Sequence, residues 1–365
     1  MKKQLIIAIT IVFSGMGTAQ KIDLDRVFVP HQYRDLPSTP LDSTWRTYNV
    51  RVEVPSTISN AMSASSIEER VNLQGWKKVY GGFEDFEGRR IEGGHAQFTV
   101  NFDDLMFDGQ KIDQRKEETK NKEGVVTATR YYYWSTVNYS IGATYSAKDW
   151  QSNVLINRST ISNSTTKMEW KSPEFSSHSE AERYFSNNRQ AISNKLVKEH
   201  MESWLNSLNY SINDKYGFPV STDQASLWTT DSKKHPENEA WVANMAKMKA
   251  SVAKVTANGI DAATRAELMS SIEYMTGVLA KYAADEKSER KLRYACDYNN
   301  AVLYTILDMP DKAIESCNAL IANDYDAKDG EKMIEKLNKI KELMAKNNKV
   351  GRHYSIDTNK FNTPN

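Results

Sequence analysis

The 365-residue chain has little cysteine: Cys296 and Cys317 are all it carries. That rules out a disulfide-dense scaffold and leaves no ligand set for a cysteine-rich zinc site. Its six histidines (His31, His95, His178, His200, His235 and His353) never stand four residues apart or in H-E-x-x-H. Beyond the first twenty residues there is no G-x-S-x-G, and no P-loop occurs anywhere. Charge of one sign is also lacking, with a formal net of +1. Nucleic-acid binding, which needs a clustered basic surface, has no support. No second long apolar run follows the first twenty residues, so no membrane span is expected in the mature chain. No signature of an enzyme, a metal site or a cofactor remains.

The chain opens MKKQLIIAITIVFSGMGTAQ: basic Lys2 and Lys3, an apolar run from Leu5 to Phe13, then small Gly17 and Ala19. This pattern predicts a signal peptide over 1–19, cleaved before Gln20. The run is about half the roughly 20 residues a span requires, which speaks against an uncleaved anchor. No cysteine follows it to carry a lipid. The expected destination is the periplasm of a Gram-negative bacterium or the periplasmic face of its outer membrane, with release from the cell as the alternative. Loss of Lys2 and Lys3 takes the net charge from +1 to −1. The remaining length suggests two domains or three.

Between about 44 and 170 the apolar period is two. Val50, Val52 and Val54 alternate with Arg51 and Glu53, and Phe98, Val100 and Phe102 with Thr99 and Asn101. YYYWSTVNYSIGATY places Tyr131, Tyr133, Val137, Tyr139, Ile141 and Tyr145 on one face, with Tyr132, Trp134, Thr136 and Asn138 on the other. Lys122-Glu123-Gly124 reads as a hairpin turn. VFVPHQYRDLPSTPLD, with Pro30, Pro37 and Pro40, reads as an extended arm. Ser179 and Glu182 form a capping box for a helix over 179–208. The expected class is α+β. An N-terminal antiparallel β-sandwich-like domain with a packed helix (20–231) precedes a polar linker (232–239), an all-α region (240–348) and a flexible tail (349–365).

Within the helical region, YNNAVLYTILDMPDKAIESCNAL (298–320) carries two apolar-striped runs about an Asp308–Asp311 hinge. With Tyr298 in fifth place, Ala301, Tyr304 and Ala313 fall on the eighth, eleventh and twentieth positions of the tetratricopeptide repeat (TPR), which this stretch resembles. Cys317 and Leu320 take packing positions of the second helix. Alanines there let two helix axes approach closely. Asp297 and Asn300 depart from the pattern, standing where the repeat has a large aromatic and a leucine, and Tyr325 replaces the closing proline. The resemblance implies a protein-binding surface. Its register also sets Cys296 and Cys317 on facing helices, leaving two readings: a disulfide contributing about 3 kcal/mol, or two buried thiols.

Other candidates are weaker in pattern. Phe83 and Phe86, in the glycine-rich acidic loop 81–94, are a candidate contact patch. Tyr132 and Trp134 form an aromatic row that could stack on sugar rings or be covered by the 179–208 helix. Asp103, Asp104 and Asp108 lack the ligand rhythm of a calcium loop. His200 reads as solvated, and Gly93-Gly94-His95 as a turn. The expected function is a non-enzymatic protein–protein interaction or scaffold role in the cell envelope, as in accessories of outer-membrane assembly or secretion. The alternative is carbohydrate binding or processing.

Overall fold

The valine alternation of TYNVRVE and the phenylalanine alternation of AQFTVNF become neighbouring strands, because each sends a continuous apolar row to one side. The structure is a computed structural model that describes residues 22–81 and 93–364. In chain order the elements are β1 (Leu24–Arg34), β2 (Thr47–Glu53), α1 (Ser56–Ser59), α2 (Ala64–Arg70), β3 (Lys77–Lys78), β4 (Ala96–Phe102), β5 (Met106–Lys120), β6 (Val126–Ser140), β7 (Ala143–Asp149), β8 (Val154–Ser162), β9 (Met168–Lys171) and α3 (His178–Tyr216). Then follow β10 (Val220–Thr230), α4 (Asn238–Val252), α5 (Ala262–Lys281), α6 (Lys287–Ile306), α7 (Pro310–Ala322) and α8 (Ala327–Lys346). The fold is mixed α+β. No described helix is long and apolar enough to cross a membrane.

The chain divides into two units, Met1–Arg34 with Val220–Ser355, and Asp35–Pro219 with Ile356–Asn365. The expected boundary at 232–239 therefore falls inside the first of these. His235 and Glu237 are buried there, and Lys281 and Tyr282 donate to the Glu237 carboxylate. Residues up to 231 were expected in the β-rich domain, but the antiparallel partner of β10 is β1, from Leu24 opposite Thr230 to Arg34 opposite Val220. Val29, Ala225 and Leu227 from this ribbon join Trp241, Met248, Leu268, Met275 and Leu303 of the helices in one core. Residues 22–34 and 220–231 thus belong with the helices.

The other unit holds two sheets. One runs β3-β2-β4-β7-β8, and the other β5-β6-β9. β2 and β4 are parallel, with α1 and α2 lying between them in sequence, so the first sheet is mixed where an antiparallel one was expected. The aromatic run 131–145 does not make one strand. It breaks at Gly142, where an added Cβ would come 2.9 Å from the Ser164 backbone nitrogen, and Tyr145 passes to the other sheet. The Lys122–Gly124 turn does close the β5–β6 hairpin, with Gly124 at φ +81°.

α3 runs 39 residues, past the expected end at 208, because Leu205, Leu208, Ile212 and Tyr216 prolong its apolar stripe. Its first half meets the three-stranded sheet through Phe185 and Phe107, 5.0 Å apart. Its second half meets the five-stranded sheet through Trp204 on Phe102 at 6.1 Å and Tyr216 on Phe98 at 6.5 Å. The tail expected to be loose is tied at both ends: Lys77 Nζ donates to the Phe361 carbonyl at 3.0 Å, and residues 352–354 are bonded into the helical unit.

Candidate functional site

α6 is the pillar of the helical unit, and its two faces do different work. Ala295, Cys296, Leu303 and Ile306 enter the large core shared with α4 and α5. Ala301 turns the other way, into a small cluster with Ala313 and Cys317 of α7 and Leu337 of α8, against which Tyr304, Ile314 and Met333 pack. Ala301, Ala313 and Leu320 are fully buried. Gly330 of α8 belongs to the same close crossing: a Cβ there would lie 2.9 Å from the Cys317 carbonyl oxygen.

Both cysteines are buried and free. Five residues separate Cys296 from Ala301, which at about 100° per residue turns the thiol roughly 140° from the α7-facing seam. The two sulfurs therefore serve different clusters. Burial pushes the Cys317 thiol up to about 11 and the Cys296 thiol well above its ordinary range. Both are neutral at neutral pH and poor nucleophiles.

Buried polar groups of α6, among them the departing Asp297 and the neighbouring Asn299, have structural work. Asn299 is fully buried; its Oδ1 accepts from the Trp228 N–H at 2.7 Å and its Nδ2 donates to the Trp228 carbonyl at 2.8 Å. One side chain thus satisfies both open backbone groups of Trp228 in β10 and locks the ribbon to α6. Asp297 is only 5% exposed, and burial lifts its carboxyl from 3.8 to about 7 against the opposing pull of Arg293.

Above this clamp lies a partly exposed aromatic cluster. The Arg26 guanidinium sits 4.2 Å from the centre of the Trp228 ring and 5.8 Å from that of Tyr298. Tyr294 packs against both rings and against Tyr325, and donates its hydroxyl to Asp329 Oδ2 at 2.7 Å. Asp329 in turn stands 3.5 Å from the Arg26 guanidinium. Trp, Tyr and Arg are the side chains that dominate protein-contact energetics, being large, stiff and able to bond at one end. This patch was not legible in sequence, since β1, β10, α6 and the α7–α8 turn each supply a part.

A second polar cluster closes the α6–α7 hinge. Asp308 takes φ +58°, and its Oδ2 accepts from the Arg352 N–H at 2.8 Å and from His353 Nδ1 at 2.7 Å. The Arg352 guanidinium lies 4.2 Å over the Tyr33 ring. Arg34 donates from Nε to the Tyr354 carbonyl at 2.8 Å and from Nη2 to Asn258 Oδ1 at 2.7 Å. His31 is buried beside them, and desolvation lowers its pKa. The arrangement locks residues 352–354 against β1.

Elsewhere the sequence candidates separate. Tyr132 and Trp134 lie on the open face of the three-stranded sheet. Arg115 covers the Tyr132 ring at 4.4 Å and makes a two-pronged pair with Glu174, 2.9 Å on each side. α3 packs on the opposite face, where His200 Nε2 meets the Tyr139 hydroxyl at 2.9 Å and Gln110 donates to the Glu182 carbonyl at 2.8 Å. The expectation that this helix covers Tyr132 and Trp134 is overturned, because the period of two gives it Tyr133, Val137 and Tyr139. His200 is not solvated but stacked on Trp204 at 5.3 Å. His200 is half-buried, whereas His95 is buried, 2.6 Å from Thr47 Oγ1. Phe83 and Phe86 lie outside the described residues. Among the described residues no group of three or more His, Cys, Asp or Glu is placed to hold a metal ion.

Comparison of the chain with protein-family models, with curated proteins and with solved structures returned no match.

Proposed function

We propose that this chain is an exported, non-enzymatic interaction protein of the bacterial cell envelope, and that its helical unit is the docking module. The observation that carries this reading is the Arg26–Trp228–Tyr298 cluster, a partly exposed Trp/Tyr/Arg patch on a rigid support. The small residues at the α6–α7–α8 crossing support a TPR-like arrangement, in which stacked hairpins bind other proteins. The predicted leader supports export, and accessories of outer-membrane assembly or secretion fit as hosts by analogy. A photo-crosslinking residue at Tyr298 should capture one defined envelope protein in living cells, and the capture should fall when Arg26 is changed to Ala. The same probe at the exposed Tyr210 of the other unit is the control. Equal capture at both positions would defeat the reading.

Carbohydrate binding stays as the second reading, because Tyr132 and Trp134 lie on the sheet face that α3 leaves open. Glycan-array binding abolished by Tyr132→Ala with Trp134→Ala would favour it; no binding by the unaltered chain would remove it.

A further inference from the structure

β5 is an edge strand: the order of its sheet is β5-β6-β9, so its outer N–H and C=O groups face no described strand. Residues 114–131 of the β5–β6 hairpin are exposed throughout, on both faces. A two-stranded ribbon is marginal by itself, and a long open edge invites pairing. Between the irregularities after Asp108 and after Thr119, β5 pairs regularly from Gln110 to Thr119. Over that stretch one face carries Lys111, Asp113, Arg115 and Glu117, alternating in sign. Lys111 pairs with Asp113, and Arg115 with Glu117, along the strand.

We propose that β5 is a homotypic docking edge, along which a second copy of this chain pairs antiparallel with Gln114 on the two-fold axis. Two edges related by a two-fold normal to the sheet keep like faces together. With Gln114 opposite itself, Lys111 faces Glu117 of the other copy and Asp113 faces Arg115, and symmetry repeats both pairs. On the reverse face Gln110 meets Glu118 and Ile112 meets Lys116, with no like charges opposed. Moving the axis one residue either way sets Asp113 or Arg115 against its own copy, which directly opposed strands disfavour. An edge blunted by lysine alone would repel a second copy; this alternation complements it. The joined sheet would run β9-β6-β5-β5-β6-β9. This proposal is independent of the helical docking patch.

The test is sedimentation of the purified chain together with crosslinking through one introduced surface cysteine, the native Cys296 and Cys317 being buried. A monomer–dimer equilibrium that weakens with salt is expected. Lys111→Glu should loosen it by about tenfold, and adding Glu117→Lys should restore it. Under mild oxidation Gln114→Cys should form a covalent dimer, whereas Glu118→Cys, equally exposed but facing Gln110, should not. The proposal is overturned by a chain that stays monomeric at every concentration, by absent rescue in the double variant, or by equal crosslinking at 114 and 118. A monomer that captures a strand of some other protein would count among the first of these outcomes.

Discussion

Replacing Asp308 should release the C-terminal segment from the helical unit, and the cost can be worked from its bonds. Its Oδ2 accepts two hydrogen bonds, from the Arg352 N–H and His353 Nδ1, and its Oδ1 stands 3.7 Å from Arg352 Nε. Hydrogen bonds to a charged group contribute about 1.5–3 kcal/mol each, and removing one partner of a buried pair costs roughly 3–5 kcal/mol. The variant of choice is Asp308→Gly, since glycine accepts φ +58° without strain and so isolates the lost carboxylate. A loss of about 4 kcal/mol, at roughly 2–4 °C per kcal/mol for a unit of this size, lowers the melting temperature by on the order of 10 °C. Hydrogen exchange locates the effect. The amides of Arg34 and Tyr354, bonded to the Arg352 and Ala257 carbonyls, should lose protection before those of α5. Asp308→Asn, which keeps an acceptor and tolerates the left-handed backbone, should lose less. Unchanged melting, with the Tyr354 amide still protected, would show that the Asp308 cluster does not hold the tail.

Asp297 makes a prediction with pH. Its carboxyl titrates near 7 when folded and near 3.8 when unfolded, so between these values the folded chain holds the extra proton. Its contribution is full below about pH 4 and lost as pH rises through 7, up to about 4 kcal/mol; Asp297→Asn should therefore melt higher than the unaltered chain at pH 8 and flatten this dependence. Asn299→Ala strands the Trp228 N–H and carbonyl, and denaturant titration should show a loss of about 2–4 kcal/mol. Gly330→Ala drives a methyl against the Cys317 carbonyl and should cost about 1–3 kcal/mol in the same titration. A thiol reagent should label neither cysteine of the folded chain quickly and both after denaturation; rapid labelling of the native chain would contradict their burial.

Much of the local structure was written in residue order. Val50 and Val52, Phe98 and Val100, and the Lys122–Gly124 turn mark their strands and hairpin through periods of two to four residues. Ala301 and Ala313 lie in one small cluster with Cys317 and Leu337, and Leu320 is fully buried, because spacing by three and four decides which side of a helix is apolar. What failed were inferences that needed a partner. β10 buries Ala225 and Leu227 on one side, but nothing in VSTDQASLWTT states that β1 will pair with it or that Asn299 will satisfy Trp228. The aromatic row of β6 alternates as read, but which face α3 would cover was settled by the packing of Phe185 and His200. The Asp308 cluster was invisible, since His31, Asp308 and His353 become neighbours only through the fold.

By itself the sequence determined the local periods, the hairpin turn and the change from strands to helices. Each of these depends on side chains within one or two turns of chain. Tertiary structure alone decided the division of the chain, the fate of both thiols, the aromatic patch around Arg26 and the pinned C-terminal segment. Those depend on burial, which is a property of surroundings: a carboxyl such as Asp297 or an amide such as Asn299 acquires its role from what excludes water around it.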